Sequence, residues 1–187
     1  EVLVKTIKIR DLMVPLSKYA TVKEDATLQD VAAALEDAQS RFDRSRYPHL
    51  AVLVINDQGN VVGKVGQIDI LRALEPKYDE LGQPSSRLHT GFSREFLKSL
   101  MEHHQLWQAA LQDICSKAAD RKVKTFMVAP SEGEFVDESA SLDEAIHQLV
   151  MGRHQSILVL DKNKIVGILR LTDVFETVSN IIRQCPV

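Results

Sequence analysis

An internal repeat constrains this chain more than any other feature of it. Residues 61–69, VVGKVGQID, are echoed by residues 165–173, IVGILRLTD. Each is a β-rich run with glycine at its third position and an aspartate six residues beyond that glycine, and an apolar helix-like segment follows at once. Gly63 and Gly167 lie 104 residues apart, as do Asp69 and Asp173. The echo extends upstream: IRDLMV at 9–14 reads against VKTFMV at 123–128, and TVKEDATL at 21–28 against FVDESASL at 135–142. The run AVLVI at 51–55 matches SILVL at 156–160. Two units of about 60 residues result, the first with nine extra residues before its AVLVI strand. Units this small bury little alone, so the copies are expected to share one core.

Composition serves mainly to exclude. At 187 residues and 44% hydrophobic, the chain suffices for one ordinary domain or two small ones. A formal charge of −3 gives no electrostatic argument for nucleic acid or an anionic membrane. The longest apolar run, 50–55, is far short of the ~20 residues that a spanning helix needs. Cys115 and Cys185 lack metal-like spacing and suit a reducing compartment, so a soluble cytoplasmic protein is expected.

Within the first unit, Thr27 with Asp30 is placed to cap a helix whose buried stripe is Leu28, Val31, Leu35, Ala38 and Phe42. Tyr47-Pro48 ends that helix. Strands at 50–55 and 61–65 flank a turn at 56–60, and a helix at 68–74 closes the unit. In the second unit, Ser141 and Glu144 have capping-box spacing ahead of a buried face of Leu142, Ala145, Ile146, Leu149 and Val150. Strands at 156–160 and 165–169 flank a turn at 161–164. Thr172 is placed to cap a last helix carrying Val174, Phe175, Val178, Ile181 and Ile182.

The segment between the units opens with the turn formers Pro76, Gly82, Pro84, Ser85 and Ser86. A helix then starts at Ser93, with Phe92 and Leu97 spaced as a hydrophobic staple. Leu97, Leu100, His104, Trp107, Leu111, Ile114 and Ala118 keep a three-four spacing for about three heptads. That stripe suits either a short coiled-coil seam or a face packed on the chain's own repeats.

The repeated element order, the paired LMV and FMV segments, the paired caps and the two Gly-to-Asp junctions resemble a tandem pair of CBS domains, a Bateman module, over residues 9–74 and 123–183. The resemblance implies an α/β fold of two β-α-β-β-α repeats with pseudo-twofold symmetry. They would occupy 1–74 and 123–187, separated by an α-helical insertion at 75–122. It further implies a non-catalytic regulatory module whose two clefts take an adenine nucleotide (AMP, ADP or ATP). In that family the junction aspartate grips both ribose hydroxyls, and a Ser or Thr three residues earlier contacts phosphate. By resemblance, Asp69 and Asp173 take the ribose role. Val14, Ala20 and Ala51 would line one purine slot, and Val128, Glu134 and Ser156 the other. The chemistry is sound, since an ionised carboxylate accepts two hydroxyl bonds and charge strengthens each.

The phosphate-contacting hydroxyl is replaced in both copies. Gly66 leaves only backbone to approach a phosphate, whereas Arg170 offers a bidentate contact. The cleft of Asp173 and Arg170 is therefore the one expected to bind. The plainer reading of both aspartates is a carboxylate favoured at a helix amino terminus.

Other chemistry is thin. His103 and His104, being adjacent, point to different faces, and no H-x3-H or C-x2-C pair exists to hold a metal. His49 and His154 stand at corresponding strand starts, either as phosphate neighbours or as ordinary surface histidines. Nucleophile motifs and phosphate-binding glycine loops are absent, so no enzyme is expected. Two readings stand: a nucleotide sensor read by an effector protein, or a ligand-free interaction module. In either case a homodimer is expected, through Val174, Val178, Ile182 and the 97–114 stripe.

Overall fold

The computed structural model describes residues 7–41, 50–81, 92–108 and 113–184. Phe42, Tyr47, Pro48, His49, Gly82, Pro84, Ser85, Ser86, Leu111 and Cys185 lie outside the described residues. The first repeat runs α1 (Ile9–Leu12), β1 (Val14–Pro15), β2 (Thr21–Lys23), α2 (Leu28–Arg41), β3 (Ala51–Ile55), β4 (Val61–Gly66) and α3 (Gln67–Ala73). Between the repeats come α4 (Lys77–Glu80), α5 (Arg94–His103) and α6 (Ile114–Asp120). The second repeat supplies β5 (Phe135–Asp137), α7 (Leu142–Gly152), β6 (Ser156–Asp161), β7 (Lys164–Arg170) and α8 (Leu171–Arg183).

Two mixed sheets result, ordered β2-β3-β4 and β1-β7-β6-β5. In each repeat a short strand, β2 or β5, is parallel to the central strand, β3 or β6, which is antiparallel to the strand that carries the glycine. The central strands β3 and β6 are continuous apolar runs because helices and the opposing unit cover them, and their first four residues are all buried. A register shift falls at the same place in both hairpins, after Val54↔Gly63 and after Val159↔Gly167. The turns differ. Asn56 Oδ1 accepts from the amides of Gln58 and Asn60 in one, with Gly59 at φ +81°. Lys162 and Asn163 occupy the left-handed region in the other, a two-residue hairpin loop.

The leading segment of each repeat crosses into the other unit. Val14 pairs with Ile168 on β7, and Val128 pairs with Lys64 on β4 through reciprocal 2.9 Å backbone bonds. Upstream, Lys8 bridges Ser141 and Lys122 bridges Thr27. Ile9 is accordingly fully buried among Val136, Leu142, Ile157 and Val174, while Val123 is buried among Val31, Val52 and Val65. A third cluster joins the sheets through Val14, Tyr19, Leu53, Leu158 and Ile168. Sequence repeat and packing unit are thus different sets of residues.

The repeat glycines mark these crossings. A Cβ on Gly167 would stand 2.6 Å from the Val14 carbonyl oxygen, and one on Gly63 would stand 2.5 Å from Met127 Sδ.

Helix boundaries show what the caps decide. Thr27 and Asp30 form a reciprocal cap, Asp30 N–H to Thr27 Oγ1 at 3.2 Å and Thr27 N–H to Asp30 Oδ2 at 2.8 Å. Ser141 occupies the corresponding position without a side-chain cap bond, so the expected second capping box is not made. The cap position of α8 is Arg170, and Thr172 lies inside the helix. Val150 is exposed on α7. The stripe expected to run through residues 97–118 is broken. The helix ends at His103, and Gln105 and Trp107 turn the chain at φ +51° and +63°. Trp107 and Ala118 then pack on Leu28, Ala73 and Leu74, and Leu97 stays exposed. Ser93 does cap α5, and Phe92 stacks on Phe96.

Because the Val14 carbonyl is backbone and Met127 is flexible, Gly167→Ala should destabilise by about 1–3 kcal/mol and Gly63→Ala by less. Chemical denaturation of both variants checks the order. Equal losses would mean that Met127 cannot move aside.

Candidate functional site

A cleft of about 400 Å3 opens where the two strand-to-helix junctions face each other. Leu50, Ala51, Lys64, Gly66 and Asp69 line it from the first repeat, and Arg153, His154, Ser156, Arg170 and Thr172 from the second. Ala51 and Ser156 are repeat equivalents at the starts of β3 and β6, as Gly66 and Arg170 are at the ends of β4 and β7. The cleft therefore straddles the pseudo-twofold axis, and its two halves differ chemically.

In the first half, the Gly66 amide donates to Asp69 Oδ2 at 2.7 Å, so the aspartate caps the first turn of α3. That amide, expected to be open to a phosphate, is thus already engaged. Burial raises the Asp69 carboxyl above its ordinary value, against the Gly66 bond and the charges of Lys64 and Arg72. A Cβ at position 66 would meet nothing closer than Asp69 Oδ2 at 3.4 Å. No side chain projects from that position over the carboxylate.

In the second half, Arg170 is 4% exposed and clasps Asp173 with both ends of its guanidinium, Nε to Oδ2 at 2.6 Å and Nη2 to Oδ1 at 2.5 Å. The two residues expected to share one ligand are bonded to each other, and both oxygens of Asp173 accept from Arg170. Tyr19 lies against this pair. Burial pushes its hydroxyl up to about 12, opposed by the charge of Arg170.

Of the residues anticipated from sequence, the cleft gathers Asp69, Gly66, Ala51, Ser156 and Arg170. Asp173, Val14, Ala20, Val128 and Glu134 are not among its lining residues. Val14 and Ala20 are buried in strand pairing, the Ala20 carbonyl accepting from Leu53 N–H at 2.9 Å. Val128 is held by its bridge to Lys64. Glu134 is buried and accepts from Lys64 Nζ at 2.7 Å, a second tie between the repeats at that bridge. Tyr19, Lys64, Arg153 and Thr172 line the cleft without being singled out as site residues by the sequence. Tyr19 adjoins the anticipated Ala20 and Thr172 adjoins Asp173, but no spacing marks Lys64 or Arg153. Among the described residues, no group of three or more His, Cys, Asp or Glu side chains could hold a metal ion.

A profile of the CBS domain family matches residues 9–76 and 123–180, and the chain belongs to that family, with a tandem pair of the domains. CBSX2, a CBS-pair protein from Arabidopsis thaliana, is similar at TM-score 0.59 and 20% identity, with 95% of this chain and 98% of that one covered. CBSX2 has also been solved with AMP, at TM-score 0.58 and 20% identity, with 94% and 98% covered. The CBS domain of a bacterial CNNM/CorC family Mg2+ transporter, solved with ATP, is similar at TM-score 0.59 and 16% identity, with 94% and 89% covered. At these identities the likeness is one of fold. A search of curated protein sequences gave no significant match.

Burial alone would raise the Glu134 carboxyl, but hydrogen bonds from Lys64 and from the Ser131 amide outweigh it and hold it below the usual value. A depressed folded value contributes stability above the unfolded value, lost as pH falls through the folded one. Glu134→Gln should therefore cost roughly 1.5–3 kcal/mol at neutral pH and less in acid, because a bond to a charged group is lost. Urea midpoints of wild type and variant across acid and neutral pH test this.

Proposed function

We propose that the chain is a non-catalytic regulatory module that takes one adenine nucleotide in the central cleft, with Asp69 receiving the ribose hydroxyls. One observation carries the reading. Asp69 lies in the cleft with no side chain projecting from position 66, whereas its equivalent, Asp173, is clasped by Arg170. Tandem CBS pairs of this fold solved with AMP and with ATP support the ligand class. Arg153 and His154, on the opposite rim, are the side chains nearest in character to a phosphate site. An effector protein would read the occupied state.

The order of the two aspartates is thereby the reverse of the one expected from sequence. Asp69→Ala should weaken AMP, ADP or ATP binding about tenfold to over a hundredfold, as loss of a bond to a charged group would, and Asp173→Ala should weaken it less. A carboxyl with a raised folded value favours the folded state when protonated, so Asp69 adds stability as pH falls and loses it as pH rises through that value. Its acceptor role requires the ionised form. Nucleotide affinity should consequently drop on acidification, and Asp69→Asn should flatten that dependence. Calorimetry over the acid-to-neutral range decides, and absence of heat with all three nucleotides would remove the reading.

A second reading, an interaction module, rests on apolar side chains left in solvent. Ile68 and Leu71 on α3 are 79% and 58% exposed, and Phe175 and Ile182 on α8 are 62% and 64% exposed. Exposed apolar side chains of this size on two helices favour a covering partner. Val174 and Val178, placed on this face by sequence, pack into the second unit's core instead. A homodimer through α3 and α8 would cover the exposed set. Light scattering at tens of micromolar should give twice the 21.0 kDa chain mass, and Phe175→Glu should return it to the single-chain value.

A further inference from the structure

The segment between the repeats is bolted to the far end of the helix that presents Asp69. Helix α3 has seven residues, about 10 Å of rise. Its first turn holds Asp69 in the cleft, and its last turn is a junction for the inserted segment. Arg121, just beyond α6, donates to the Ala73 carbonyl at 2.8 Å and pairs with Asp79 at 2.7 Å, and Asp79 also faces Arg72 of α3 at 3.6 Å. Arg72 donates to the Tyr78 carbonyl, and the Tyr78 hydroxyl accepts from Trp107 Nε1 at 2.9 Å. Glu75, two residues past α3 and 4% exposed, accepts from the Trp107 amide at 2.7 Å and from the Lys77 amide at 3.3 Å. Lys77 Nζ reaches the Gln105 carbonyl at 2.9 Å.

These bonds hold an unfavourable backbone in place. Trp107 at φ +63° and Gln105 at φ +51° lie in the left-handed region, where a bulky residue persists only if its surroundings over-determine it. Without the α3 junction the 104–108 turn would relax to ordinary backbone, and Trp107 would leave Ala73 and Leu74.

We propose that α3 is a strut coupling the Asp69 cleft to the inserted segment, so that an adenine nucleotide in the cleft is reported by the docking of the turn around Trp107. This rests on the nucleotide reading above and adds the route by which occupancy leaves the cleft. A ligand that favours the docked position of α3 raises the docked population, and by linkage a loosened junction must weaken the ligand in turn.

Trp107 is the sole tryptophan, so its emission reports the turn directly. AMP is titrated into the full chain while emission is followed, with calorimetry in parallel, for wild type, Arg121→Met and Asp79→Ala. Asp79 is half exposed, so its variant keeps the test open should Arg121→Met fail to fold. The expected result is an emission change whose midpoint matches the calorimetric one, with AMP affinity lowered about fivefold or more in both variants, the lower end of typical coupling between sites. Binding of AMP at unchanged affinity in the folded variants, with Trp107 emission unmoved, would overturn the coupling and leave the nucleotide site standing. Absence of calorimetric heat with AMP and ATP would instead remove the site, and the coupling with it.

Discussion

The structure depends on a reciprocal crossing. Each repeat sends its leading segment onto the sheet of the other, Val14 of β1 onto Ile168 and Val128, by a single bridge, onto Lys64. Neither of the two hydrophobic clusters is filled by its own repeat: Ile9 closes one and Val123 the other. This is how units of this size gain a core large enough to hold them. The crossing needs strands in close approach, and Gly167 permits it by carrying no Cβ against the Val14 carbonyl. The glycine that first reveals the repeat in sequence therefore records a contact with the opposite copy.

Crossing brings both strand-to-helix junctions to one cleft, and there the two copies diverge. A single position decides the outcome. Arginine at 170 folds back on the aspartate three residues later, whereas glycine at 66 carries no side chain and the backbone amide holds Asp69 instead. The same carboxylate is consumed in an ion pair in one copy and set half-buried in the cleft in the other. Burial raises the Asp69 carboxyl above its ordinary value. Asymmetry inside a symmetric frame is what turns two equivalent junctions into one candidate site.

The segment between the repeats adds a further break in symmetry, because it attaches to the first repeat at α3, where Glu75, Tyr78, Asp79 and Arg121 converge. The apolar sides of α3 and α8 meanwhile stay open around Ile68, Leu71, Phe175 and Ile182. Helix α3 therefore touches three things at once: the cleft by its first turn, the segment between the repeats by its last, and solvent by an apolar face.

The repeat, its element order, the Thr27–Asp30 cap and the aspartates at the junctions were legible in the sequence alone. Each is set by local chemistry: short β-rich apolar runs, turn-forming residues and side chains that cap within three positions. Five of the ten anticipated site residues line the cleft, because a junction aspartate and its neighbours are placed by the strand and helix that bear them. What tertiary structure decided are the contacts between residues far apart in the chain. Lys64 finds Glu134 seventy positions away, and the two halves of the cleft come from different repeats. It also settled one local matter. Arg170 and Asp173 are three residues apart, yet whether the guanidinium turns outward to a ligand or back to the aspartate depends on burial, which sequence spacing does not encode. Enclosed at 4% exposure, an unpaired guanidinium would be costly, and Asp173 is the carboxylate within reach.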